Sequence, residues 1–344
     1  IPEYMEIDLG DKKTLYKDEI MMYEMLARNN WKRPIYMSVT LGQGNMAGLE
    51  NYLVLEGLAY RLTPFKVGLG TIDVDKMYDN LMNRFKYGNV AAEGIYLDET
   101  VRRMCGTHRH IFTQLIDELI AKGDKDRALK AIQKCKEVLP ESNIPYDISD
   151  LTLIQQWGKL GKDDEANRIA QSLIKNSKQY FTWANDLTGG HMANKSASVN
   201  REYKQHSICL NEIKRMADEG SFTLNKAVAD DLNATLKALY ASPQMKQTYE
   251  NLITTCEKHW EEINAAIAMS GMQETTKEEI ETLVYNFSEL YNTLEELAEE
   301  PGFGYLGLTE RLDKLKGEME ASSFGQEMLK ANRALEMASN DSLN

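Results

Sequence analysis

Residues 123–140 read GDKDRALKAIQKCKEVLP and residues 161–178 read GKDDEANRIAQSLIKNSK; superposed, Gly123 falls on Gly161 and Ala128 on Ala166, a period of 38. In both copies a glycine precedes a charged turn, and the apolar residues then recur at three- and four-residue spacing, the signature of a helix with one buried face. Self-similarity at such a period marks stacked pairs of helices, each of which buries its apolar face on the next. Working outward, Pro140, Pro145, Gly220, Pro243 and Pro301-Gly302 punctuate an otherwise helical pattern.

In the first copy Ala128 and Pro140 stand 12 apart, as in the second helix of a tetratricopeptide repeat, where a small residue permits close helix contact and a proline ends the pair. Two units are visible, and both depart from the 34-residue consensus of that repeat. Beyond residue 220, amphipathic stretches predict helices near 223–241, 245–269, 276–299, 305–320 and 323–338, a C-terminal bundle or stack of hairpins.

Toward the N-terminus the period changes. Met5, Ile7 and Leu9 alternate with Tyr4, Glu6 and Asp8, which predicts a half-buried strand. A helix follows over Lys17–Asn29, stopped by Asn29-Asn30 in the left-handed region. Pro34 suits the first residue of a strand that carries Ile35, Met37, Val39 and Leu41 on one side. Strand, helix, strand in so short a span predicts a βαβ unit with parallel strands. A short helix near 46–56, a strand through Leu58, Tyr60 and Leu62, and a further candidate at Ile95-Tyr96-Leu97 would complete a sheet of three or four strands. The fold class expected is mainly α: a small N-terminal α/β cap (1–98), tetratricopeptide-like helical repeats (99–220) and C-terminal helical hairpins (221–344).

Composition narrows function. Lysine and arginine number 40 against 53 acidic residues, a net charge of 40 − 53 = −13, which repels a phosphate backbone and excludes nucleic acid as a partner. No window reaches the roughly 18–20 apolar residues that cross a bilayer. The chain opens Ile1-Pro2-Glu3 with no initiator methionine, which reads as a fragment of something longer. Cys105, Cys135, Cys209 and Cys256 lie far apart with no C-x-x-C pair, so they read as packing residues.

Chemistry-bearing motifs are incomplete. Gly42-Gln43-Gly44-Asn45-Met46-Ala47-Gly48 follows a predicted strand, but its G-x-G-x-x-x-G spacing departs from the dinucleotide fingerprint, and a tight turn is the competing reading. Cys105 and His108 share one helix face, whereas His110 lies about 200° from His108, so a zinc ligand set is not formed. His191, His206 and His259 have no nucleophile or carboxylate at motif spacing, and the run Glu278-Glu279, Glu281, Glu289, Glu295-Glu296, Glu299-Glu300 reads as a solvated face. No catalytic residue, metal site or cofactor is assigned. Arg33, Tyr36, Glu56, Tyr60 and Arg61, at strand ends and a helix stop in the cap, are the binding or interface candidates, with an Arg–Glu56 packing pair as the alternative.

Two segments of the cap, NNWKRPIYMSVTL and LENYLVLEGLAYRLTP, placed before a tetratricopeptide-like region, resemble the C-terminal part of a family of large bacterial membrane proteins. The multi-span N-terminal half of that family is similar to protein O-mannosyltransferases. The matching residues are Asn30, Trp31, Arg33-Pro34-Ile35-Tyr36, Leu49, Tyr52-Leu53, Leu55 through Leu62 and Pro64, with GDKDRALK…LPESNIPY agreeing more loosely. The resemblance covers about residues 1–70. It implies that the catalytic carboxylates and lipid-linked sugar site belong to a membrane half. The present chain would then be a non-catalytic, periplasmic tail that contacts acceptor proteins, partner subunits or that half. The alternatives are a free-standing helical-repeat scaffold and, behind it, a nucleotide-binding enzyme built on the Gly42–Gly48 loop.

Overall fold

From Glu99 onward the described residues are mostly helical, as the period predicts. In a computed structural model that describes residues 4–10, 12–42, 45–186, 197–269, 277–322 and 324–326, the chain is mainly helical with one small sheet near its N-terminus. It divides into two compact units, Ile1–Ile169 and Ala170–Asn344.

The first unit begins with an extended segment and helix α1 (Lys17–Asn29), followed by β1 (Tyr36–Ser38), β2 (Leu53–Leu55), β3 (Ala59–Leu62) and the short α2 (Val74–Asp79). The Glu19 carboxylate accepts from the Tyr16 N–H at 2.8 Å and closes the first turn of α1. Asn30, at φ 44°, ends it in the left-handed conformation that asparagine tolerates.

The parallel βαβ expectation is corrected. The strands run in the order β1-β3-β2 and both pairings are antiparallel, Tyr36 opposite Arg61 and Val54 opposite Arg61. Three residues of the expected 46–56 helix, Leu53–Leu55, form β2, because they are buried on both faces and continue into the tight turn back to β3. Met5, Ile7 and Leu9 do alternate as read, half-buried against exposed neighbours, but the segment joins no sheet. Met5 and Ile7 instead pack on the core of Met37, Met46, Leu49, Tyr52, Leu53 and Leu62, and Tyr52 donates its hydroxyl to the Glu6 carbonyl. Ile95–Leu97 likewise forms no strand. The outer edge of β2 is covered by the chain itself: the Leu55 N–H donates to Thr71 at 2.9 Å and Asp73 donates back at 3.0 Å.

Helices α3 (Glu99–Ala121), α4 (Lys125–Val138), α5 (Leu151–Lys159) and α6 (Asp163–Asp186) follow, and the boundary between the units falls inside α6. The 38-residue period acquires a geometric meaning here. Between α3 and α4 the Asp124 N–H donates to the Leu119 carbonyl (2.8 Å), and between α5 and α6 Lys162 donates to Trp157 (2.9 Å), with Gly123 and Gly161 at φ 76° and 70°. This is the turn that closes a helix by satisfying its last carbonyls, and its left-handed residue is glycine because a Cβ there is disfavoured. Ala128 and Ala166 are fully buried, as close helix contact requires.

In the second unit, α7 (Ala197–Asp218) and α8 (Lys226–Tyr240) are joined by a third such turn, Ser221 donating to Met216 at 2.8 Å across Gly220. Helices α9 (Pro243–Met269), α10 (Lys277–Ala298) and α11 (Thr309–Ala321) complete it. The α9–α10 contact is aromatic, with Trp260 and Phe287 centroids 5.6 Å apart and Phe287 and Tyr291 5.7 Å apart. Arg311 of α11 holds Glu257 of α9 at 3.0 Å. The predicted helix at 323–338 falls for the most part outside the described residues, as does His191.

Candidate functional site

The five cap residues singled out by sequence separate into three environments. β3 alternates, so Arg61 lies in one cross-strand row with Tyr36 and Val54, and Tyr60 in the next with Met37 and Leu55. Glu56, in the turn from β2 to β3, is 4% exposed and is the hub of the first row. One carboxylate oxygen accepts from Arg61 Nε; the other accepts from the Tyr36 hydroxyl at 3.2 Å and lies 3.6 Å from Lys76 Nζ of α2. The Asn80 side chain also donates to the Glu56 carbonyl at 2.7 Å. Both carboxylate oxygens are thus engaged, and Glu56 braces the sheet against α2. Tyr60 packs against the apolar core instead.

Arg33 stands apart from this brace. Its backbone is clasped by Asn29, whose side chain donates to the Arg33 carbonyl at 2.7 Å. It lines a groove of ≈ 910 Å³ formed by the outer face of α1 together with residues 32–35 and Met37. The floor is apolar: Ile20, Met21 and Met25 are 53%, 61% and 65% exposed, while Pro34, Ile35 and Met37 supply the opposite wall. Arg28, Lys32 and Arg33 line it as cations and Glu24 as the one acid. Glu24 pairs with Arg28 along the helix, whereas no carboxylate lies within ion-pair distance of Lys32 or Arg33 among the described residues.

The sequence reading placed Ile20, Met21 and Met25 on a helix but missed that they are left uncovered. A signal for this was present. Six apolar residues, Ile20 through Tyr23 with Met25 and Leu26, spread around more than half of the helix circumference, so one core-facing stripe cannot take them all. Met22, Tyr23 and Leu26 turn inward, and Tyr23 donates its hydroxyl to the Ala47 carbonyl at 2.7 Å.

That bond bears on the glycine-rich loop. Gln43 and Gly44 lie outside the described residues, but Met46 and Ala47 are buried, and a Cβ on Gly48 would overlap the Asp8 carbonyl. The second half of the loop is therefore packed under the N-terminal segment.

Elsewhere, polar clusters brace helices. Arg109 and Asp150, each 4% exposed at the side chain, pair at 2.7 Å, and Arg109 also donates to the Ile144 carbonyl at 2.7 Å. In the second unit Ser177 and His206 Nδ1 are 3.0 Å apart, and the imidazole stacks on Tyr180 with centroids 4.6 Å apart. Ser177 is fully buried, so its hydroxyl cannot meet a substrate as a nucleophile. Burial holds His206 below the ordinary histidine value of 6.5, against the pull of Glu202. Glu300, read as part of a solvated acidic face, instead accepts from Tyr240, from Tyr249 at 3.2 Å and from Asn211 at 3.4 Å. Glu295 accepts from Tyr291 at 2.9 Å and from Lys316 at 3.2 Å.

The side chains of Glu278, Glu279 and Glu281 lie outside the described residues. Cys105 is buried, His108 Nδ1 lies 2.8 Å from the Met104 carbonyl and His110 lies 3.3 Å from Gln114. Among the described residues no three His, Cys, Asp or Glu side chains converge as a metal site would require. All four cysteines are buried, and burial pushes the Cys135 thiol up to about 12.

Residues 1–80 match the family described as TMEM260-associated domain 2. That span contains the sheet, the Glu56 brace and the α1 groove. No curated protein matches the chain, and no solved structure does.

Proposed function

We propose that this chain is a non-catalytic accessory and interaction region of a membrane-embedded, glycosyltransferase-like protein, exposed on the extracytoplasmic side of a bacterial inner membrane. The observation that carries this reading is the match of residues 1–80 to a domain described by its association with TMEM260. The resemblance of NNWKRPIYMSVTL and LENYLVLEGLAYRLTP, within that same span, to the tails of O-mannosyltransferase-like membrane proteins agrees with it. In this reading the sheet and α1 form the part adjoining the membrane-spanning half, and the tetratricopeptide-like helix pairs contact acceptor proteins or partner subunits. No described helix is long and apolar enough to cross a membrane.

The test is to read the gene upstream of Ile1 and to fractionate cells with an antibody raised against this region. Several upstream spans of about 20 apolar residues, with the antigen released only by detergent, are the expected result. A short hydrophilic upstream sequence with the antigen in the soluble fraction would reject the reading. That outcome would favour the free-standing helical scaffold, for which the repeated turns at Gly123 and Gly161 are the supporting observation.

A further inference from the structure

We infer that the groove on α1 is a docking site for an amphipathic helix of a protein partner, one that carries carboxylates beside its apolar stripe. Three observations carry it. Ile20, Met21 and Met25 form an uncovered apolar strip along one face of α1, more than half exposed in each case. Methionine-rich surfaces of this kind adapt their flexible thioether side chains to a helix laid against them. Pro34 and Ile35 give the strip a wall, which turns a face into a groove.

Charge then selects the occupant. The whole chain carries −13, yet the charged residues that line the groove are Arg28, Lys32, Arg33 and Glu24, a local balance of 3 − 1 = +2. Lys32 and Arg33 are exposed and have no carboxylate at ion-pair distance among the described residues. Against a strongly acidic background such a rim steers an acidic ligand in and disfavours a basic one. A helix has the right dimensions, because α1 itself is 13 residues long, about 20 Å at 1.5 Å per residue, and a partner of three turns would run alongside it. The inference concerns the first unit alone. It stands whether or not the parent protein is membrane-embedded, so fractionation tests the one reading and peptide titration the other.

The experiment uses the full chain and two fluorescein-labelled helical peptides of about 18 residues, both with leucines at i, i+3, i+4 and i+7, one flanked by glutamates and the other by lysines. Fluorescence anisotropy is expected to show saturable binding of the glutamate peptide, and amide NMR spectra of the isotope-labelled chain should show shifts confined to residues near 20–35. Lys32→Glu with Arg33→Glu is expected to weaken binding about tenfold or more. Arg33→Gln, which removes charge without reversing it, should weaken it less, and melting curves check that each variant folds. The inference is overturned by absence of glutamate-peptide binding, by equal binding of the lysine peptide, or by indifference to the rim substitutions. It is equally overturned if vesicles rich in phosphatidylserine bind the groove in place of the peptide, or if sedimentation shows a dimer of this chain that Met25→Asp dissolves.

Discussion

His206 shows how a single position converts burial into pH dependence. The ring is half-buried, stacked on Tyr180 and bonded to Ser177, and burial depresses its proton affinity below the ordinary 6.5. A histidine that binds its proton more weakly folded than unfolded contributes stability that is complete above pH 6.5 and is lost as the pH falls below it. Thermal unfolding followed from pH 7.5 to 5.5 is expected to show this loss, and His206→Phe, which keeps an aromatic ring on Tyr180, should flatten the profile. An equal acid sensitivity in the variant would assign the effect to other groups. At the same scale, legibility depended on locality. Asn30 was readable as a helix stop because the left-handed conformation is a property of one residue and its neighbours. The role of Glu56 was readable only as one of two options, since its partners Tyr36, Arg61 and Lys76 are gathered from three separate elements.

Among the elements, the helices were legible and the sheet was not. Glycine after a helix, an acidic or amide cap before the next one and a buried stripe at 3.6-residue period are local statements. They hold at α3–α4, where Asp124 caps α4 by accepting from Arg127 at 3.1 Å, and at α8, where Asn225 accepts from Val228 at 3.0 Å. The segment from Tyr4 to Leu9 shows the limit: its alternation reported correctly which side chains turn inward, but a period of two does not say whether a ladder exists. The connector between α4 and α5 was read only as two prolines. Its geometry is set by Arg109, which reaches from α3 to Asp150 and to the carbonyls of Leu139 and Ile144. Removing one partner of a fully buried pair strands the other, so Arg109→Met is expected to lower stability by about 3–5 kcal/mol, measurable by urea unfolding. Arg109→Met combined with Asp150→Leu should recover part of that loss because no charge is left unpaired. A single variant within about 0.5 kcal/mol of the parent would show that the connector does not depend on this pair.

For the molecule as a whole, the excess of acid dominates. A net charge of −13 predicts no measurable binding to a labelled DNA duplex at 0.15 M salt, because the excess of carboxylates repels the phosphates; anisotropy titration checks this, and saturable binding would contradict it. The groove on α1, with its local +2, is too small a patch to reverse that balance. The sequence by itself determined the helical class, the turns at Gly123, Gly161 and Gly220, the stop at Asn30 and the burial pattern of the N-terminal segment, because each is written in residues a few positions apart. Antiparallel pairing in the order β1-β3-β2, the contacts that let Glu56 brace the sheet, and the exposure of Met21 and Met25 beside Lys32 and Arg33 come from the tertiary structure alone. The physical reason is that pairing, bracing and exposure depend on which distant residue arrives to cover a surface, and covering is a property of the assembled chain.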